Sequence, residues 1–265
     1  MIDGTIQGTT QEADQAVGCR TRFAGLLAPG LAADRLNRLA LALRLSPLLQ
    51  APAGSAPLAV LLAGDGSAVP ESDALWLPPV AAWIEPPADT GASDTADRLA
   101  PFLAEAAKSD LYLNLTTATA HDLQLGGRLL AALSARHPLE GDRRDDIELA
   151  LHEAVSNALV HGNLGVAGMK ELSAQELERF SRDLGDRLAD PVLAGRRIVV
   201  TLRIDPAEDG RRLATVEITD EGAGFTPGPR ANSGASGRGL DLIGNIADGL
   251  TIEDGGRRIR MRFRL

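Results

Sequence analysis

Asp220 closes a strand-like run in EITDEGAGF, Glu217 to Phe225, and Gly222, Gly224 and Phe225 follow it. A carboxylate at a strand end accepts a hydrogen bond from an exocyclic amine such as that of adenine. Two glycines spaced in this way let the backbone approach a flat ligand without Cβ clashes. A second stretch, SGASGRGLDLI, leads through Gly234, Gly237 and Gly239 to a helix expected to begin near Leu240. Backbone amides at a helix start, next to glycines, form an anion site, and Arg238 adds a charge suited to phosphate oxygens. A third, IELALHEAVSNALVHGN, carries Glu153, Asn157 and His161 four residues apart. A step of four drifts only about 40° around a helix, so these three form one polar ridge. Ile147, Leu151, Val155 and Leu159 form its core flank. Alone, each stretch has an ordinary explanation: a strand-to-turn junction, a glycine-rich helix start, a solvated helix face. Together they are specific.

In this order, an E-x-x-x-N helix, D-x-G-x-G-F and G-R-G-L-x-L-I resemble the N, G1 and G2 boxes of the Bergerat-fold ATPases, a superfamily that includes gyrase and the histidine kinases. The wording ELALHEAVSNALVHGN is most similar to the anti-sigma-factor serine/threonine kinases. The resemblance covers residues 109–265. It implies that Asn157 is the magnesium ligand, that Glu153 is the general base acting on the attacking hydroxyl or water, and that Asp220 reads adenine. It implies further that Gly222, Gly224 and Phe225 belong to the base pocket and that Gly237, Arg238, Gly239 and Leu240 close over the phosphates. His161 and Asn163 fall on its H-G-N signature as pocket-shaping residues. Thr226 to Ser236 correspond to the ATP lid, and their glycines and prolines fit a loop that orders on nucleotide binding. Two departures stand out. An added polar helix lies within residues 169–194, and GGRR replaces the family's last box.

The elements that must position these residues follow from pattern. Helices are expected over residues 31–46, up to Pro47, near 97–108, from a Thr119 capping box to about Ala135, from an Asp142 cap to Gly162, from a Ser173 cap onward, and near Leu240. Strands are expected in LAVLL, DALWL, AAWIE, DLYLNLTT, RRIVVTLRID, LATVEITD and a closing hairpin turned at Gly255-Gly256. The fold class is therefore α/β, an α+β sandwich. A Bergerat-type domain over 109–265, with helices on one face of a mixed sheet, follows a small α/β domain over 1–108. That first domain is compatible with a degenerate receiver-like layer, but it lacks an acidic cluster plus lysine for accepting a phosphoryl group. Sensing, docking or dimerisation suits it better, and a homodimer stays open.

Composition narrows the classes. The 265 residues carry 44% apolar side chains, a net charge of −9 and one cysteine, Cys19. An internal disulfide and a cysteine zinc cluster are excluded. The acidic balance disfavours direct nucleic-acid binding, and no run suits a membrane span or secretory signal. A cytoplasmic protein is expected. The phosphate-loop pattern is missing, H-E-x-x-H fails at Ser156, and no G-x-S-x-G elbow occurs. His152 lies about 100° around the helix from Glu153, outside the setting of a phosphoacceptor histidine. The resemblance thus implies an ATP- and magnesium-dependent protein serine/threonine kinase with a sigma factor and an anti-anti-sigma-type antagonist as partners. The alternatives are an ATP-binding switch without phosphotransfer and a histidine-kinase-related signalling ATPase.

Overall fold

Continuous apolar runs build the first half of the chain and alternating ones the second. The computed structural model describes residues 23–50, 57–61, 76–86, 92–169, 171–225 and 239–265. The chain divides into two compact units, Met1–Asn114 and Leu115–Leu265.

The first unit contains β1 (Gly25–Leu27), α1 (Ala33–Ala42), β2 (Ser46–Leu48), β3 (Leu58–Leu61), β4 (Val80–Ile84), α2 (Ala92–Ala106) and most of β5 (Leu111–Thr116). Its strands are parallel and ordered β2-β1-β3-β4-β5. LAVL in β3 and VAAWI in β4 are buried throughout, as expected of parallel strands covered on both faces. The order reverses between β1 and β3, the pattern of a doubly wound sheet. Trp76 and Trp83 are fully buried and stack at 4.4 Å, so both serve the core. The helix expected up to Pro47 ends at Ala42 instead. Arg44 turns the chain with φ 57°, and Ser46–Leu48 becomes the edge strand, where a proline lacking N–H is tolerated. DALWL is no strand where it is described, because Trp76 already sits in a turn. Helix α2 begins at Ala92, ahead of the expected start.

The second unit contains α3 (Thr117–Asp122), α4 (Leu125–Arg136), α5 (Gly141–Ser156), a π-helical continuation (Asn157–Asn163), α6 (Ala174–Ala189), α7 (Pro191–Ala194), β6 (Arg197–Pro206), β7 (Arg212–Asp220), α8 (Gly239–Ile246), β8 (Gly249–Glu253) and β9 (Arg258–Arg264). Its strands pair antiparallel in the order β6-β7-β9-β8. RIRMRFR in β9 shows why one face is wet. Met261 and Phe263 point inward and are fully buried, while Arg260 turns outward to Glu217 at 2.8 Å and Glu253 at 3.0 Å. Ile198, Val200, Leu202, Val216 and Ile218 are likewise buried, as are Leu129, Leu133, Ile147, Leu151, Val155 and Ile243 of the helices. Parallel strands in one unit and antiparallel strands in the other make the chain mixed α/β. Among the described residues no helix is long and apolar enough to cross a membrane.

Helix boundaries in this unit also differ from the expected ones. Thr116, not Thr119, caps α3, accepting from the Thr119 amide, and Gln124 at φ 51° breaks the expected single helix into α3 and α4. Gly126 then lies so close to His152 of α5 that a Cβ would strike its ring. Asp142 does not cap α5. Glu140 holds the cap position without a side-chain bond, and Asp142 lies in the first turn. Gly162 does not stop the helix, which runs in π form to Asn163. Ser173 does cap α6, accepting from the Glu176 amide at 3.3 Å.

Asn163 is the tie that holds this end of α5 against the sheet. It is fully buried, its Nδ2 donates to Thr117 Oγ1 (2.8 Å) and to the Arg197 carbonyl (3.0 Å), and its Oδ1 accepts from the Glu221 amide (2.7 Å). Asn163→Ala removes all three bonds from a fully buried position. A loss of about 2–4 kcal/mol is expected, read as a lowered urea midpoint at unchanged slope.

Candidate functional site

The π-helical turns and the end of β7 meet through two glycines. A Cβ on Gly162 would touch the Asp220 carboxyl, and one on Gly222 would run into the Gly162 carbonyl. Only glycine at both positions allows this approach. Gly222 also donates its amide to Asp220 Oδ1 at 2.8 Å, which fixes the carboxylate at the strand end. Gly224 has φ 74°, and a Cβ there would strike the Gly255 carbonyl; that carbonyl accepts from the Phe225 amide at 2.8 Å. The β8–β9 turn therefore buttresses the segment that follows Asp220.

Above this junction lies a cavity of about 620 Å³, within the range of small-molecule sites. Glu153, Asn157 and His161 line it from the helix, Asp220, Gly224 and Phe225 from the end of β7, and Gly239 and Leu240 from the start of α8. Gly222 stands beside the cavity, behind Asp220. Asn163 is behind the wall, tying it to the sheet. Gly237, Arg238 and the lid stretch Thr226 to Ser236 lie outside the described residues. His152 is on another face, near Glu148 at 4.0 Å.

The polar ridge is internally connected. Asn157 Nδ2 donates to Glu153 Oε1 at 3.4 Å. The Glu153 side chain rests on Gly239, where a Cβ would take its space, so α8 begins directly against the carboxylate. His161 Nδ1 is 2.7 Å from the Val166 carbonyl. A carbonyl can only accept, so Nδ1 carries the proton.

Asp220 is the electrostatic outlier. Burial pushes its carboxyl up from 3.8 to about 6, against the pull of the Gly222 amide and of the Arg257 and Arg196 guanidiniums. A carboxyl whose folded pKa is raised favours the protonated folded chain. Its contribution to stability is full below about pH 4 and is lost as the pH rises through about 6. Asp220→Asn should therefore melt higher than wild type at pH 7 to 8, with the advantage shrinking below pH 6. Parallel thermal melts from pH 4 to 8 read this directly.

Several lining residues escape a reading of the motifs. Gly256, Arg257 and Ile259 come from the GGRR turn and β9, and Met169 and Phe180, with Gly168 just before them, from the added segment. The first group was visible only as a departure from a family pattern. The second had no signal beyond the apolar stripe of an amphipathic helix, to which Phe180 belongs. Among the described residues no group of three or more His, Cys, Asp or Glu is arranged to hold a metal.

The family model described as "Histidine kinase-like ATPase domain" matches residues 116–263, all but the ends of the second unit. No curated protein matches the chain.

Proposed function

The chain belongs to the histidine kinase-like ATPase domain family, and from that premise we propose that it is an ATP- and magnesium-dependent protein serine/threonine kinase of the anti-sigma-factor type. The observation that carries this reading is the convergence of Glu153, Asn157, Asp220 and the start of α8 on one cavity. Asp220 accepts the adenine amine. The triphosphate runs toward Gly239 and the first turn of α8. Asn157 turns its Nδ2 to Glu153, which leaves its Oδ1 as the oxygen for a cation. A magnesium held by one protein amide oxygen, water and phosphate fits a site without a carboxylate cluster, since this ion keeps waters and is completed by the substrate. Such an ion supplies charge neutralisation along the triphosphate.

Glu153 then acts as the base. It lies next to the start of α8, where the γ-phosphoryl group would be placed, and takes the proton of a serine or threonine hydroxyl as that oxygen bonds to the γ-phosphorus and the bond to the bridging oxygen breaks, releasing ADP. His161, fixed by its bond to the Val166 carbonyl, shapes the wall. The substrate is an antagonist protein of the anti-anti-sigma type, and the chain holds a sigma factor when that antagonist is phosphorylated. The site of action is the cytoplasm. The first unit, with its β2-β1-β3-β4-β5 order, is a receiver-like layer that senses or docks.

The test is purified chain, labelled ATP and candidate antagonists. Phosphate on an antagonist serine or threonine supports the kinase. Nucleotide-dependent partner binding without transfer replaces it with an ATP-gated switch. Asn157→Ala adds a second readout. It should weaken ATP binding about tenfold in the presence of magnesium and little in its absence, by calorimetry with and without the ion. Wild-type affinity of this variant in the presence of magnesium would remove Asn157 from the metal.

A further inference from the structure

We propose that Phe180, on the added helix α6, is the surface on which the face of the nucleotide's base rests. This builds on the nucleotide reading above. Phe180, Leu184 and Leu188 recur at intervals of four and share one face of α6. All three pack, with Val160, against the buried Leu164, Val166 and Leu193. Phe180 alone of the three also lines the cavity. The apolar stripe thus ends where the cavity begins, and it ends in its one aromatic ring.

The same helix brings a second apolar group to this wall. Arg179 donates to the Gly168 carbonyl at 3.2 Å while ion pairs to Glu176 (3.1 Å) and Asp183 (2.8 Å) hold its guanidinium on α6. The loop that carries Met169 is thereby fastened beside Phe180, and both line the cavity. A thioether and a phenyl ring suit a flat π-system and offer nothing to a phosphate. Phe225, a second aromatic residue of the lining, has its ring against Gly256 of the β8–β9 turn, where a Cβ would strike it. Recognition is then divided by chemistry. Asp220 reads the edge of the base and Phe180 covers its face.

The experiment uses the full chain with ATP. Intermolecular NOEs between phenylalanine ring protons and adenine H2 and H8 should appear in wild type and vanish in Phe180→Leu, which keeps an apolar group in the stripe. Calorimetry should show ATP affinity lower by roughly three- to tenfold in Phe180→Leu, the size of a lost aromatic contact, and restored in Phe180→Tyr. Normal ATP affinity in Phe180→Leu, or bound ATP with no NOE to Phe180, overturns this assignment and leaves the nucleotide reading standing. A wild-type chain that binds no ATP overturns both.

Discussion

Glu153→Gln is expected to leave ATP bound and to slow turnover by about 10² to 10⁴, the usual contribution of a general base. The change preserves size, so packing against Gly239 survives, and the amide oxygen still accepts from Asn157 Nδ2. Only basicity is removed. Affinity by calorimetry and turnover with labelled ATP separate the two effects. If the ridge were a solvated helix face, the substitution would shift stability by about half a kcal/mol and leave activity alone. Wild-type turnover in this variant would retire Glu153 as the base and favour the ATP-gated switch.

Asp220→Ala is expected to lower ATP affinity by about ten- to a hundredfold, the value of a hydrogen bond to a charged acceptor. The carboxylate is aimed by the Gly222 amide and half-buried at the cavity edge, so its removal takes away the acceptor proposed for the adenine amine. Its environment sharpens the prediction. Burial raises this carboxyl to about 6, so the ligand-free chain carries an ion it would rather protonate. A ligand that donates to Asp220 relieves that tension. The alanine variant should therefore lose affinity while gaining stability at neutral pH without nucleotide. Unchanged affinity in a folded variant removes Asp220 from base recognition.

Local pattern determined a good deal of this molecule. The closing hairpin, β6, β7 and the Ser173 cap depend on propensities and turn residues that act over a few positions, and those are written in adjacent letters. The four-residue step from Glu153 to His161 placed three polar groups on one side because helix geometry is local. The glycines near Asp220 announced a close approach, though not to what.

Tertiary structure decided the rest. Gly162 reads as a helix stop, since glycine ends helices in isolation; packing against the Asp220 carboxyl makes it a point of contact within the π turn instead. Asn163 reads as part of a binding signature, yet its three partners lie on α3, β6 and the end of β7, far apart in the chain. GGRR reads as a missing box, and it becomes cavity wall because antiparallel pairing of β8 with β9 carries the turn onto Gly224 and Phe225. In sequence Phe180 is only one member of the apolar stripe of an amphipathic helix, with Leu184 and Leu188. Only the packing of Leu184 and Leu188 onto the buried Leu164 cluster turns that ring to the cavity. Residue spacing encodes which side chains share a face of one element. Which faces then meet depends on contacts between segments tens of residues apart, and those are settled only when the core closes.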